Sequence, residues 1–151
     1  MGIRADLVRV SHLARRFVGS LSPAAPPVRD ELWAESWMIP AEVALWRKMA
    51  NHDRRHSIAV ARRFNASVDD RELMAGALLH DVGKVDSALS VPGRVTATLV
   101  GARTDRFSRY LDHERIGAEM LSEAGSAAST IELVAGRGRY ATVLRDCDDA
   151  R

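Results

Sequence analysis

The stretch Ala77-Leu78-Leu79-His80-Asp81-Val82-Gly83-Lys84 constrains this chain more than any other. An apolar helical run ends there in two adjacent ionisable side chains, and burying such groups unpartnered costs several kcal/mol. A divalent cation removes that penalty, because a bound ion is usually the largest local charge and satisfies both groups at once. The pattern predicts a metal site at the inner end of a buried helix.

The surrounding sequence supplies other helices. Ile3, Leu7, Val10, Ala14 and Phe17 recur at spacings of four and three, predicting an amphipathic helix over residues 3–19. Its opposite face carries Arg4, Arg9, Arg15 and Arg16 and reads as a solvated basic face, as does His12. Residues 20–30 hold Pro23, Pro26 and Pro27 and read as a linker or extended strap. Trp33 and Trp37 sit four apart on a short helical piece, and Pro40 is placed to open a helix over 41–50 that carries Trp46. The three tryptophans read as core. Asn51 or Asp53 can cap the next helix, which runs to about Phe64, with His52 a solvated first-turn residue. Ser67 or Asp69 starts the helix that ends in His80-Asp81, and Gly83 is placed to close it with a left-handed cap. A weaker helical pattern over 85–101 is interrupted by Pro92-Gly93. A helix over 108–124 closes at Gly125, and helices over 131–135 and 140–149 flank Gly136-Arg137-Gly138-Arg139. No strand alternation is convincing, so the expected class is all-α.

Composition narrows the setting. A chain of 151 residues suits one domain with a single core, and its 46% hydrophobic and 28% charged residues are those of a globule. The net charge of +2 is a small imbalance between 22 basic and 20 acidic side chains, and the arginines are spread without a recognition helix. Nucleic acid is therefore not an expected partner. No apolar run approaches the roughly 20 residues of a membrane span. The single cysteine, Cys147, excludes an intramolecular disulfide and suits a reducing cytoplasm, which is the expected location. Arg15-Arg16 is not followed by the apolar segment of an export signal, and Asp6 occupies the position where a myristoylation signal wants Ser or Thr.

Four positions are candidates to converge on one ion: His56, His80, Asp81 and an aspartate near the C-terminus, with His113 a fifth. Imidazole nitrogen together with carboxylate oxygen suits Mn, Fe, Co, Ni or Zn. His80 and Asp81 also lie in a last helical turn, where the negative end of the helix dipole favours a cation slightly.

At these residues the chain resembles the HD-domain superfamily of metal-dependent phosphohydrolases. The resemblance runs over about residues 45–149: His56 in Asp-Arg-Arg-His-Ser-Ile-Ala-Val-Ala, then Leu-Leu-His80-Asp81-Val-Gly-Lys84, then a distal aspartate. It implies a single helical domain over 31–151, with 1–30 packing on it as helix and linker. It also implies a ligand set of His56, His80, Asp81 and an aspartate within Leu144-Arg145-Asp146-Cys147-Asp148-Asp149. Alignment of the apolar residues favours Asp148 over Asp146, with Asp149 last. His113, ahead of Ile116-Gly117-Ala118, is similar to a further histidine of two-metal members. No histidine follows it, which points to one metal or a weak second one. The Gly-Tyr-Pro motif of cyclic-dinucleotide phosphodiesterases is absent.

Lys84 resembles the lysine of the HDxGK subgroup, implying a phosphate contact where negative charge develops. Arg137 and Arg139, on a glycine-flanked loop, are placed to grip a second phosphate in bidentate fashion. The implied activity is hydrolysis of a small phosphate ester, a nucleotide for preference, by a metal-activated water that Asp81 helps to orient. The alternative is a regulatory module that keeps the metal shell and binds nucleotide with little or no turnover.

Overall fold

The computed structural model describes residues 22–85 and 105–150, with the backbone alone over 105–111. The expected helices over 3–19 and 85–101 lie outside these residues. Seven α-helices and one 3₁₀ turn make up the described chain, which contains no strand. They are α1 Val28–Glu35, α2 Pro40–Trp46, α3 Asn51–Asn65, α4 Arg71–Leu79, the 3₁₀ turn Val82–Val85, α5 Asp105–Glu123, α6 Ala128–Val134 and α7 Ala141–Asp149. The all-α class is as expected.

Helix α4 is the axis of the bundle. Met74, Ala75, Gly76, Ala77, Leu78 and Leu79 are all buried, so the helix presents apolar surface all round and needs neighbours on every side. It packs on α3, α6 and α2, while α5 covers the 3₁₀ turn and α6, and α7 lies on α3. The core joins Trp46, Ile58, Val60, Phe64, Met74, Leu78, Leu79, Val82, Leu121, Leu133, Val134 and Leu144. Trp46 is fully buried and Trp33 and Trp37 pack against this core, in line with the sequence reading. The buried Trp46 Nε1–H donates to Ser57 Oγ at 3.2 Å, and Ser57 donates in turn to the Arg54 carbonyl at 3.0 Å. No helix among the described residues is long and apolar enough to cross a membrane.

Local capping differs from expectation in three places. Pro40 does occupy the first turn of α2, and the Ile39 N–H donates to Glu42 Oε2 at 2.9 Å. The residue that caps α3, however, is Ala50; Asn51 is already helical and Asp53 sits buried in the first turn, where the helix dipole favours its charge. His52 is not solvated: its Nε2 lies 3.0 Å from Asp53 Oδ1, and its side chain is only 20% exposed. Helix α4 is capped by Asp70, not Ser67 or Asp69. Asp70 has the extended backbone an N-cap requires, and its Oδ1 accepts from the Leu73 N–H at 3.0 Å.

The third difference shapes the site. Gly83 is not a left-handed cap; the described glycines with positive φ are Gly125, Gly136 and Gly138. The chain leaves α4 through the 3₁₀ turn, which presses its backbone on α5. A Cβ at Gly83 would lie 2.1 Å from the His113 carbonyl oxygen and 2.9 Å from the Gly117 nitrogen. Glycine is required there for close approach. That approach brings His113 to the end of α4.

The strap segment over 22–27 has no helix or strand and is fastened to α3. Asn51 Nδ2 donates to the Pro23 carbonyl at 2.7 Å, and the Arg55 guanidinium donates to the carbonyls of Ala24 and Ser22.

Candidate metal centre

The inner end of α4 opens into a cleft of about 180 Å³ whose walls come from α3, the residues that follow α4, α5, α6 and α7. His56, His80, Asp81, Lys84, His113 and Asp148 all line it. Six positions picked from separate parts of the sequence are thus brought to one place.

His80, the residue that follows α4, is held by its own helix. Its Nδ1 lies 2.8 Å from the Ala77 carbonyl, an acceptor, so Nδ1 carries a proton and Nε2 is the ring nitrogen turned toward the cleft. That Nε2 is buried and has no hydrogen-bond partner. It faces Asp81 Oδ2 at 3.6 Å and Asp148 Oδ1 at 3.7 Å, both too far for a hydrogen bond. A buried ring nitrogen aimed at two carboxylates, with a gap between them, is an arrangement a cation could complete. The backbone carbonyl on Nδ1 is also the outer partner that ligating histidines characteristically have.

His56, in the middle of α3, meets Asp148 from α7: Nε2 and Oδ1 are 2.6 Å apart, a proton's width of separation. The His56 and His80 rings meet edge to face, with centroids 5.7 Å apart. One ligand atom from each of His56, His80 and Asp148 falls within 4.8 Å of the others. Asp81 stands beside this trio, with its Oδ2 2.6 Å from Lys84 Nζ. His113 completes the wall from α5, and its Nδ1 is likewise buried without a partner.

The electrostatics are set by the contacts these groups make with one another. Burial disfavours charge on His80, but Asp81, Asp148 and the Ala77 carbonyl outweigh it and push its pKa up to about 9. Burial likewise opposes ionisation of Asp81, yet His80 and Lys84 hold its carboxyl below the usual range. The hydrogen bond from His56, and then the proximity of His80, hold Asp148 far below it. Carboxylates kept ionised beside imidazoles kept in reach are the donor set a divalent ion of borderline hardness prefers.

The end of α7 is set by Arg63 of α3, whose Nε donates to the Cys147 carbonyl at 2.8 Å, one residue from Asp148. Asp146, the alternative distal residue, is exposed and does not line the cleft, and neither does Asp149. Arg137 and Arg139 do not reach the cleft either. Arg137 lies on a separate groove along α5, and Arg139 stacks on Tyr140 with its guanidinium carbon 4.5 Å from the ring centroid. Gly136 (φ 70°) and Gly138 (φ 84°) on this loop have left-handed backbone, and Gly136 itself lines the cleft while both arginine side chains lie outside it. Arg145 of α7 and Glu114 of α5 line the cleft instead. Sequence reasoning passed over both, although Arg145 precedes Asp148 by three residues and so shares its helix face. Glu114 carries no comparable signal.

This all-helical bundle gathers two histidines and an aspartate within ligand distance of one another at the end of its central helix, a group that could hold a metal ion. The HD domain matches residues 47–139, most of the chain, and the chain belongs to that family, within the superfamily of metal-dependent phosphohydrolases. The match stops short of Asp148, so only the geometry connects that residue to the other three. No curated protein and no solved structure matches the chain.

Proposed function

We propose that this protein hydrolyses a small phosphate ester, a nucleotide for preference, at a divalent ion held by His56, His80, Asp81 and Asp148. The observation that carries this reading is His80 Nε2: buried, without a hydrogen-bond partner, turned toward the cleft by the Ala77 contact on Nδ1, and facing two carboxylates. His113, from the neighbouring helix, stands as a fifth ligand or as the start of a weak second site. Bound there, Mn, Fe, Co, Ni or Zn lowers the pKa of a water and polarises a phosphoryl oxygen.

The chain's own groups do the rest. Asp81 sits between His80 and Lys84, where its carboxylate can orient a nucleophilic water while the lysine fixes its rotamer. Lys84 lies at the cleft wall with a charge that offsets the negative charge gathering on the phosphoryl oxygens. The apolar walls, Leu133, Val134 and Leu144, exclude water from one side of the cleft and strengthen these interactions. The narrow cleft favours a small ester over a polymer.

Protein purified without chelators should contain a stoichiometric divalent metal by elemental analysis and release phosphate from members of a nucleotide and phosphate-ester panel. His80→Ala and Asp81→Ala should abolish both metal retention and turnover. Metal-free wild-type protein from metal-replete cells would sink the reading. Nucleotide binding with metal present and no turnover on any ester would favour the regulatory module instead.

A further inference from the structure

Arg145 is the one arginine among the described residues that lines the cleft, and no carboxylate holds its side chain. Other arginines are tied to carboxylates: Arg47 to Glu35, Arg54 to Glu31, Arg62 to Asp30, Arg115 to Glu119. Arg63 and Arg55 hold backbone carbonyls. Arg145 has a single 3.5 Å contact, from one terminal nitrogen to the Gly136 carbonyl, at the limit of a hydrogen bond. Its five-donor fork is otherwise available, on a helix face shared with Asp148.

Charge makes that availability consequential. Asp81, Asp148 and Glu114 put three carboxylates on the cleft wall, and Lys84 puts one ammonium there. With a divalent ion added and the histidines neutral, these groups cancel. Among these groups, the attraction for an anionic ester then comes from the ion's open positions and from Lys84 alone. Arg145 adds a further fixed positive charge, in a planar form suited to two phosphate oxygens at once.

We infer that Arg145 is a substrate-binding residue that grips the phosphate group from the α7 wall, facing into the same cleft as Lys84, and that it takes the role the Gly-Arg-Gly-Arg loop cannot. The inference rests on reading the cleft as a phosphate-ester site. It assigns the substrate class as a terminal phosphate monoester, whose free non-bridging oxygens can meet both cations; an internal diester offers fewer.

The test uses the full chain loaded with Mn, with inorganic phosphate and AMP as probes. Dissociation constants come from calorimetry, with metal content and thermal midpoint recorded for every variant. Arg145→Gln should weaken both probes by about tenfold or more, the loss expected for a charge-assisted hydrogen-bond pair. Metal content and thermal midpoint should stay at wild-type values, because Arg145 touches neither an ion ligand nor the core. Arg145→Lys should recover part of the affinity, which a merely structural role would not produce. Wild-type-like affinity in Arg145→Gln, with metal retained, would overturn the assignment of Arg145 and leave the phosphohydrolase reading in place. Metal-loaded wild-type protein that binds neither probe and releases phosphate from no ester would overturn both.

Discussion

At the scale of single residues, the site depends on which aspartate near the C-terminus turns inward. Asp148 meets His56 at 2.6 Å, whereas Asp146 is exposed two positions earlier on the same helix. Asp148→Asn keeps the size and removes the charge, so metal affinity should fall at least about tenfold, comparable to or beyond the loss seen when an outer partner of a ligand is removed. Asp146→Asn should leave metal content unchanged, and elemental analysis of the two variants side by side decides it. The identity of His56, His80, Asp81 and Lys84 was legible in the sequence because their order and spacing mark them. Arg145 was not, since an arginine beside acidic residues on a short helix looks like an ordinary solvated pair. Only the direction of α7, fixed in part by Arg63 on the Cys147 carbonyl, shows where its guanidinium goes.

At the scale of elements, the apolar residues of α3 and α4 were enough to predict both helices. What they could not supply was the exit from α4. A glycine soon after a helix end usually marks a left-handed cap, and Gly83 follows that sequence rule while obeying a different physical demand. The 3₁₀ turn must lie against the backbone of α5 so that His113 meets His80's end of the cleft, and only a residue without Cβ allows it. Gly83→Ala forces a carbon to within 2.1 Å of a backbone oxygen that cannot swing aside. The expected cost is about 3 kcal/mol, at the upper end for an overpacked interior. Denaturant unfolding measures it, and an unchanged midpoint would show that α5 yields freely. Asp70 as the cap of α4 is a smaller case of the same kind: three candidate side chains precede the helix, and the choice among them depends on which has the extended backbone.

At the scale of the whole molecule, protonation and metal binding oppose one another. In metal-free protein His80 has a pKa of about 9, against 6.5 for a free imidazole. A group whose pKa is raised by folding stabilises the fold fully below its unfolded value and loses that contribution as pH rises through the folded one. Metal-free protein should therefore lose stability between about pH 6.5 and pH 9, as read by denaturant titration across that range. Apparent metal affinity should tighten over the same range, since the ion must displace the proton from Nε2. A flat stability profile in chelated protein would remove this coupling.

The trio His56, His80 and Asp148 has one more consequence, for the order in which the chain comes apart. The His56–Asp148 contact joins residues 92 apart in sequence, linking a central helix to a helix of only nine residues near the end of the chain. An ion bound there would act as a clasp that closes a long loop, and such closures remove more freedom from the open chain than local contacts do. Loss of the ion and peeling of α7 would then be two descriptions of one event. The reactive centre would disassemble from its C-terminal edge before the buried axis of the bundle is disturbed.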